Sequence, residues 1–144
     1  MELLILTATR TSEVIEAKWT EFNLETKVWV IPAVRMKAGK EHRVPLNARA
    51  MEILEHLKTI SVSSYLFPGS LHKEESHLSN MALLSMMRKM PKYSKYVPHG
   101  FRSTFRDWAA ETTDYPNETV ELALAHTIKN KAEAAYRRQD QLDK

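Results

Sequence analysis

Three separate segments of this chain hold side chains suited to an anionic phosphate. Thr7-Ala8-Thr9-Arg10-Thr11-Ser12-Glu13-Val14 offers a guanidinium, and Pro98-His99-Gly100-Phe101-Arg102-Ser103-Thr104-Phe105 offers an imidazole with a second guanidinium. Leu122-Ala123-Leu124-Ala125-His126, followed by Ala134-Ala135-Tyr136, offers another imidazole and a phenol. Attack on a phosphodiester builds charge on its non-bridging oxygens, and a planar guanidinium with paired N–H donors is the best fixed clamp for them. Taken singly, an arginine is usually a surface charge and a tyrosine usually packs its ring in the core. Only the set carries weight.

Composition narrows the chemistry. Cysteine is absent, which removes disulfides, thiolate zinc sites and cysteine nucleophiles together. His72 and His77 lie five apart in a polar stretch without clustered carboxylates, so neither a metal nor another cofactor is expected. These two, with His42 and His56, read as structural or solvated histidines. A length of 144 residues, 43% of them hydrophobic, suffices for one domain with one core. A net charge of +3 and a pI near 9.1 lean the surface toward polyanions, a weak signal alone. The apolar opening, Leu3 to Leu6, is shorter than a signal peptide needs. No run approaches the roughly 20 apolar residues that span a bilayer, so a soluble protein compatible with a reducing cytoplasm is expected.

The elements that must position these groups follow from periodicity. An apolar run from Leu3 without a capping residue reads as the middle of a helix, as though the chain begins inside a domain. Thr11-Ser12-Glu13 opens a second helix with Val14, Ala17 and Trp19 as its apolar face. After a turn at Asn23-Leu24-Glu25-Thr26-Lys27, the β-prone runs Val28-Trp29-Val30-Ile31 and Arg43-Val44-Pro45-Leu46 flank the turn-forming Lys37-Ala38-Gly39-Lys40. A small antiparallel sheet is predicted there. Asn47 caps a helix through Met51, Ile53, Leu54 and Leu57; Tyr65 to Gly69 is a short buried segment, and Ser70 to His77 a loop. Ser79 or Asn80 begins a helix closed by Pro91, whose stripe of Met81, Leu83, Leu84, Met86, Met87 and Met90 reads as core filling. His99 to Glu111 presents Phe101, Phe105, Trp108 and Ala109 as one face, and short helices follow over Glu118 to Ala125 and Asn130 to Arg138. The fold class is mainly α with a small antiparallel sheet, α+β.

Together the three segments resemble the conserved boxes of the tyrosine recombinases, the phage-integrase family, in the style of satellite-phage and genomic-island integrases. Thr7 to Val14 with Trp19 is similar to the first arginine box, Pro98 to Phe105 to the HxxR box, and Leu122 to His126 with Tyr136 to the terminal LxH and tyrosine segment. The resemblance runs in order along essentially the whole chain. It implies a mostly α-helical catalytic domain with a three-stranded antiparallel sheet over residues 1–144, lacking the family's core-binding and arm-binding domains and truncated at its start. Ala8-Thr9 stands where the family more often has a glycine and a hydrophobic residue.

By resemblance, Arg10 and Arg102 clamp the scissile phosphate while Tyr136 attacks it, leaving a 3′-phosphotyrosyl link and a free 5′-hydroxyl. The covalent link conserves the bond energy, so rejoining needs no ATP. Lys37 is the implied general acid for the departing 5′-oxygen, because it precedes His42-Arg43-Val44-Pro45-Leu46 as the family's hairpin lysine precedes its VPL segment; Lys40 stays open as the alternative. His99 is suited to accept or relay the tyrosine proton, and His126 to donate a hydrogen bond to a phosphate oxygen. Glu13 either holds the Arg10 guanidinium or favours a helix N-terminus. Tyr65, Tyr93, Tyr96 and Tyr115 read as ring-packing residues. Further phosphate contacts are expected from Arg35, Lys40, Arg43, Lys129 and Lys131. The implied activity is site-specific integration or excision of a mobile element. Its partners are double-stranded DNA, three further copies in a homotetramer, and accessory bending or directionality factors, in the nucleoid of a bacterial cytoplasm. A type IB topoisomerase-like relaxer and a non-catalytic prophage remnant are the alternatives.

Overall fold

Local sequence explains where most elements begin and end in the computed structural model, which describes residues 1–69 and 76–126. Two short helices, α1 (Glu2–Thr7) and α2 (Thr11–Ile15), lead through a 3-10 turn (Trp19–Glu21) into β1 (Phe22–Asn23) and β2 (Val28–Ile31). A second 3-10 turn (Ala33–Arg35) precedes β3 (His42–Pro45), and α3 (Ala48–Thr59), α4 (Ala82–Arg88), α5 (Gly100–Thr112) and α6 (Asn117–Ala123) follow. Asn47 caps α3 as its type predicts, its Oδ1 accepting the Ala50 N–H at 2.9 Å. Pro116 precedes the first residue of α6, where a missing N–H and a fixed φ cost nothing.

The sheet is antiparallel in the order β1-β2-β3. Val28 pairs with Pro45, Trp29 with Val44, Val30 with Arg43 and Ile31 with His42. Strand alternation therefore turns Trp29, Ile31, His42 and Val44 to one face. Trp29, Ile31 and Val44 are buried there and His42 half-buried. Pro45 is tolerated because β3 is an edge strand, where an absent N–H breaks no ladder. β1 completes the three strands that the family resemblance implies, although periodicity assigned its Asn23 to a turn.

Two apolar clusters hold the chain together. The larger joins Leu3, Leu4, Val14, Ile15, Trp29, Ile31, Val44, Leu54, Leu66 and Leu83, drawing α1, α2, the sheet and α3 into one core. The smaller joins Ala109 of α5 with Val120 and Leu124 around α6, and its remaining member is Ala8, at the end of α1. The second cluster thus docks α5 and α6 onto the start of the chain.

Several expectations change. The second helix ends at Ile15, and Trp19 begins the 3-10 turn instead of extending the apolar face. On α5, Ala109 is buried and Phe105 packs beside it, but Trp108 is 54% exposed. Of the methionine stripe on α4, Leu83 and Met87 are buried while Met81 and Met90 are exposed, because the helix is only seven residues long and offers one buried stripe. Tyr93, Tyr96 and Tyr115 are exposed in connecting segments and pack no core. The stretch expected to be a loop over 70–75, and the helix expected over Asn130 to Arg138, lie outside the described residues. Among the described residues no helix is long and apolar enough to cross a membrane.

Candidate active site

Arg10 is placed by the short helix that it precedes. It is the N-cap of α2, with extended backbone, and Glu13, one turn on, reaches back to it twice. Glu13 Oε2 accepts the Arg10 backbone N–H at 2.7 Å, and Oε1 accepts Arg10 Nη1–H at 2.7 Å. The first contact is half of a capping box; the other half is absent because arginine has no acceptor. Both readings of Glu13, guanidinium holder and N-terminal carboxylate, thus describe one side chain. It is 2% exposed, so the pair is screened little by solvent. Arg35 ties down the same helix, donating Nη2–H to the Glu13 carbonyl at 3.0 Å and to Glu21 Oε2 at 2.7 Å.

Arg102 is held by quite different partners. It lies on α5, is 5% exposed, and donates from Nη1 to the Ala8 carbonyl and from Nη2 to the Leu124 carbonyl, the latter at 2.5 Å. These two carbonyls terminate α1 and α6. Ala8 and Ala125 each have positive φ, 47° and 50°, the left-handed conformation that closes helices and that glycine adopts most readily. At α6 the closure is a Schellman motif: the Ala125 N–H bonds the Leu122 carbonyl and the His126 N–H bonds the Glu121 carbonyl, both at 2.9 Å. Helix C-termini carry partial negative charge, which favours a guanidinium placed between them.

The Schellman turn also returns His126 over its own helix. Its Nε2 lies 3.3 Å from Arg102 Nη2 and its Nδ1 2.7 Å from Glu121 Oε2. Arginine only donates and a carboxylate only accepts, so both contacts are met by the ring with its proton on Nδ1. As placed, His126 accepts from Arg102 through Nε2, whereas its ring is expected to donate to a phosphate oxygen. The His126 ring, then Arg106 whose Nε–H reaches Glu121 Oε1 at 2.7 Å, holds the Glu121 carboxyl below the usual carboxylate range, with its partial burial opposing.

Electrostatics joins these groups into one site. Burial first, and then the charge of Arg10, presses the Arg102 guanidinium below its ordinary value, with Glu13 opposing; the group stays cationic at neutral pH. His42, read from sequence as a bland histidine, is the residue that sequence reasoning missed. Burial lowers its pKa; Glu13 and the Ala123 carbonyl pull it up, and Arg102 and Arg10 push it down. It therefore sits among the same residues. The available signal was its place immediately before the predicted Arg43–Leu46 run and two positions before Val44; the strand begins one residue earlier than expected, at His42.

Other expected site residues lie on the surface around this cluster. His99 is exposed at the N-cap of α5, one turn before Arg102. Lys37 and Lys40 are exposed on the connection from β2 to β3, beside Gly39 at φ 63°, and Arg43 is exposed on β3. Arg35, expected to contact DNA, is turned inward: its side chain is 13% exposed and lies 2.7 Å from the Glu21 carboxylate and 3.8 Å from that of Glu16. Tyr136, Lys129 and Lys131 lie outside the described residues. A surface groove lined by Phe22, Leu24, Val30 and Lys58 among others contains none of the expected site residues.

The family comparison agrees with this geometry. The chain matches the model of the Phage integrase family over residues 1–142, and it belongs to that family. It is 34% identical over 140 residues to prophage integrase IntA of Escherichia coli K12, covering 96% of this chain and 33% of that protein. It is 34% identical over 151 residues to the integrase of Enterobacteria phage P4, covering 94% and 34%. The chain thus spans about a third of the length of these curated relatives. Among solved structures it resembles the Tn1549 transposon integrase in complex with transposon right end DNA, with a TM-score of 0.70 at 16% identity over 99% of this chain and 54% of that one. A lambda integrase tetramer bound to a Holliday junction gives 0.63 at 20% identity over 90% and 40%. At such identities the likeness is one of fold, and the fold is the catalytic domain of a tyrosine recombinase.

Proposed function

We propose that residues 1–144 form the strand-cleaving and rejoining domain of a site-specific tyrosine recombinase that integrates or excises a mobile element. The observation that carries this reading is Arg102: a buried guanidinium with no carboxylate in hydrogen-bond contact among the described residues, held open beside Arg10. Of its five N–H donors, three are engaged among the described residues, which leaves donors for an anionic ligand. A DNA phosphate supplies that charge.

In this mechanism the phenol oxygen of Tyr136 attacks phosphorus as the bond to the 5′-oxygen breaks, and the two guanidiniums stabilise the charge on the non-bridging oxygens. His99 takes up the phenol proton, and Lys37, or Lys40 on the same connection, delivers one to the departing oxygen. Reversal by a 5′-hydroxyl rejoins the strand. Lys40, Arg43, Lys129 and Lys131 contact the backbone nonspecifically. The family assignment and the DNA-bound neighbours support double-stranded DNA as partner, a tetramer on two duplexes as the working assembly, and action on the bacterial nucleoid in the cytoplasm with accessory bending or directionality factors.

A suicide duplex, nicked beside the cleavage position and built from the junctions of the integrated element, tests the reading with the full gene product. A covalent protein–DNA adduct that vanishes in Tyr136→Phe is the expected result. An adduct that survives that substitution, or none from the wild type, overturns it. Relaxation of supercoiled plasmid without exchange between sites would select the topoisomerase-like alternative.

A further inference from the structure

We infer that Glu121 is a positioning residue for His126, fixing which ring nitrogen holds the proton and so aiming Nε2 at Arg102 and at the anion bound there. This rests on the proposed recombinase reading, which places His126 at the scissile phosphate, and it assigns a role to a side chain outside the expected set.

The argument begins with the backbone. The Schellman closure at Ala125 fixes the His126 amide on the Glu121 carbonyl, which brings the start of the side chain back beside the last turn of α6. There Nδ1 meets Glu121 Oε2 at 2.7 Å. A second contact, from Arg106 Nε–H to Glu121 Oε1 at 2.7 Å, splints the carboxylate from the neighbouring helix and restricts its rotation. With Nδ1–H committed to Glu121, the Nε2 lone pair is the only ring acceptor and it faces Arg102.

The function of the device follows from donor and acceptor arithmetic. Without a phosphate, Nε2 accepts from Arg102 and helps hold the guanidinium fork in its plane. When a phosphate binds and Nε2 takes up a proton from solvent, the ring gives up its contact with Arg102 and becomes a donor toward a phosphate oxygen, while the Glu121 carboxylate balances the new positive charge. Without Glu121, an imidazole in water prefers the proton on Nε2; that nitrogen would then point a hydrogen at Arg102, and the ring would swing away. Carboxylate partners of metal-bound histidines typically matter by about 10- to 100-fold in affinity or activity, and the same scale is expected for this orienting contact.

The test uses the full gene product, with rate of adduct formation on the nicked duplex and histidine side-chain 1H–15N correlation spectra as paired readouts. Wild type is expected to show the His126 proton on Nδ1 at a pH where the ring is neutral. Glu121→Ala is expected to move it to Nε2 and to slow cleavage by about 10- to 100-fold, with unchanged DNA affinity. Glu121→Gln, which keeps an acceptor oxygen, is expected to retain the Nδ1 proton and to lie between. Arg106→Ala removes the splint alone and is expected to cost less than about fivefold, well short of the Glu121→Ala loss. The inference is overturned if wild type forms its Tyr136-dependent adduct and Glu121→Ala cleaves at the wild-type rate. It also fails if the His126 tautomer is the same in both, or if Arg106→Ala reproduces the whole loss. Absence of a Tyr136-dependent adduct in wild type would instead sink the recombinase reading, while the spectra still report on the pair itself.

Discussion

Arg10 and Arg102 share a residue type and a neighbourhood, yet the chain holds them by opposite means. Arg10 stands at the start of a helix and is neutralised by a carboxylate three residues away. Arg102 is held between the ends of two helices by carbonyls 94 and 22 residues away in sequence, which orient it without cancelling its charge. The difference teaches which group supplies the field: the Arg10–Glu13 pair brings geometry at little net charge, and Arg102 brings a cation with no carboxylate in hydrogen-bond contact among the described residues.

The largest expected effect tests the second half of that contrast. Arg102→Ala strips the Ala8 and Leu124 carbonyls of their donor, and each buried acceptor left unpaired costs about 1–3 kcal/mol. Urea unfolding is expected to show a loss of about 2–5 kcal/mol, together with loss of strand cleavage. Arg10→Ala leaves one Glu13 contact intact at the backbone and should cost clearly less stability; equal losses for the two would erase the distinction.

Glu13→Ala comes next. It removes both the reach-back to the Arg10 amide and the guanidinium contact, for an expected loss of about 1–2 kcal/mol in the same measurement, the scale of a lost helix cap. A Glu13→Gln protein that cleaves DNA like wild type would show that the carboxylate's charge does not restrain Arg10.

Ala8→Gly and Ala125→Gly probe the two turns that aim carbonyls at Arg102. Both positions have positive φ, which costs a residue with a Cβ roughly 1–2 kcal/mol, against about 0.5–1 for the added freedom of glycine when unfolded. Each substitution is expected to raise thermal stability slightly, by about 0.5 kcal/mol. A fall for either would mean that its turn is held by something other than backbone preference.

The smallest effect is a pH slope. His42 has its pKa lowered from 6.5 by burial, with Arg102 and Arg10 adding to the shift and Glu13 and the Ala123 carbonyl opposing it. The unfolded chain then binds the proton that the folded chain refuses, so this contribution is full above about pH 6.5 and is lost as pH falls through the lowered folded value. Melting temperatures between about pH 7 and about pH 5 should fall less steeply in His42→Gln than in wild type; parallel slopes would remove His42 from the cationic neighbourhood.

Much of this molecule is readable where the physics is local. The Asn47 cap, the strand at Val28–Ile31, the strand expected over Arg43–Leu46 and found at His42–Pro45, and the Arg10–Glu13 pair all lie within a turn or an alternation of their cause. What escaped was set by distant partners. Arg35 looked like a free basic residue until the fold brought Glu21 and Glu16 to it, and Trp108 looked apolar and inward until α6 packed on the other side of α5. His42 and Glu121 had no motif to single them out, because their importance lies in what surrounds them.

From the residues alone came the family boxes, the helical class with its small sheet, and the types of groups suited to phosphate chemistry, since side-chain chemistry and short-range periodicity are written into neighbouring positions. Only the tertiary structure decided that Arg102 is held by the spent ends of two helices, that His126 turns one nitrogen to it and the other to Glu121, and that Arg35 pairs with Glu21. Hydrogen bonds reach about 3 Å whatever the separation along the chain, so partners this far apart in sequence become visible only once the fold has brought them together.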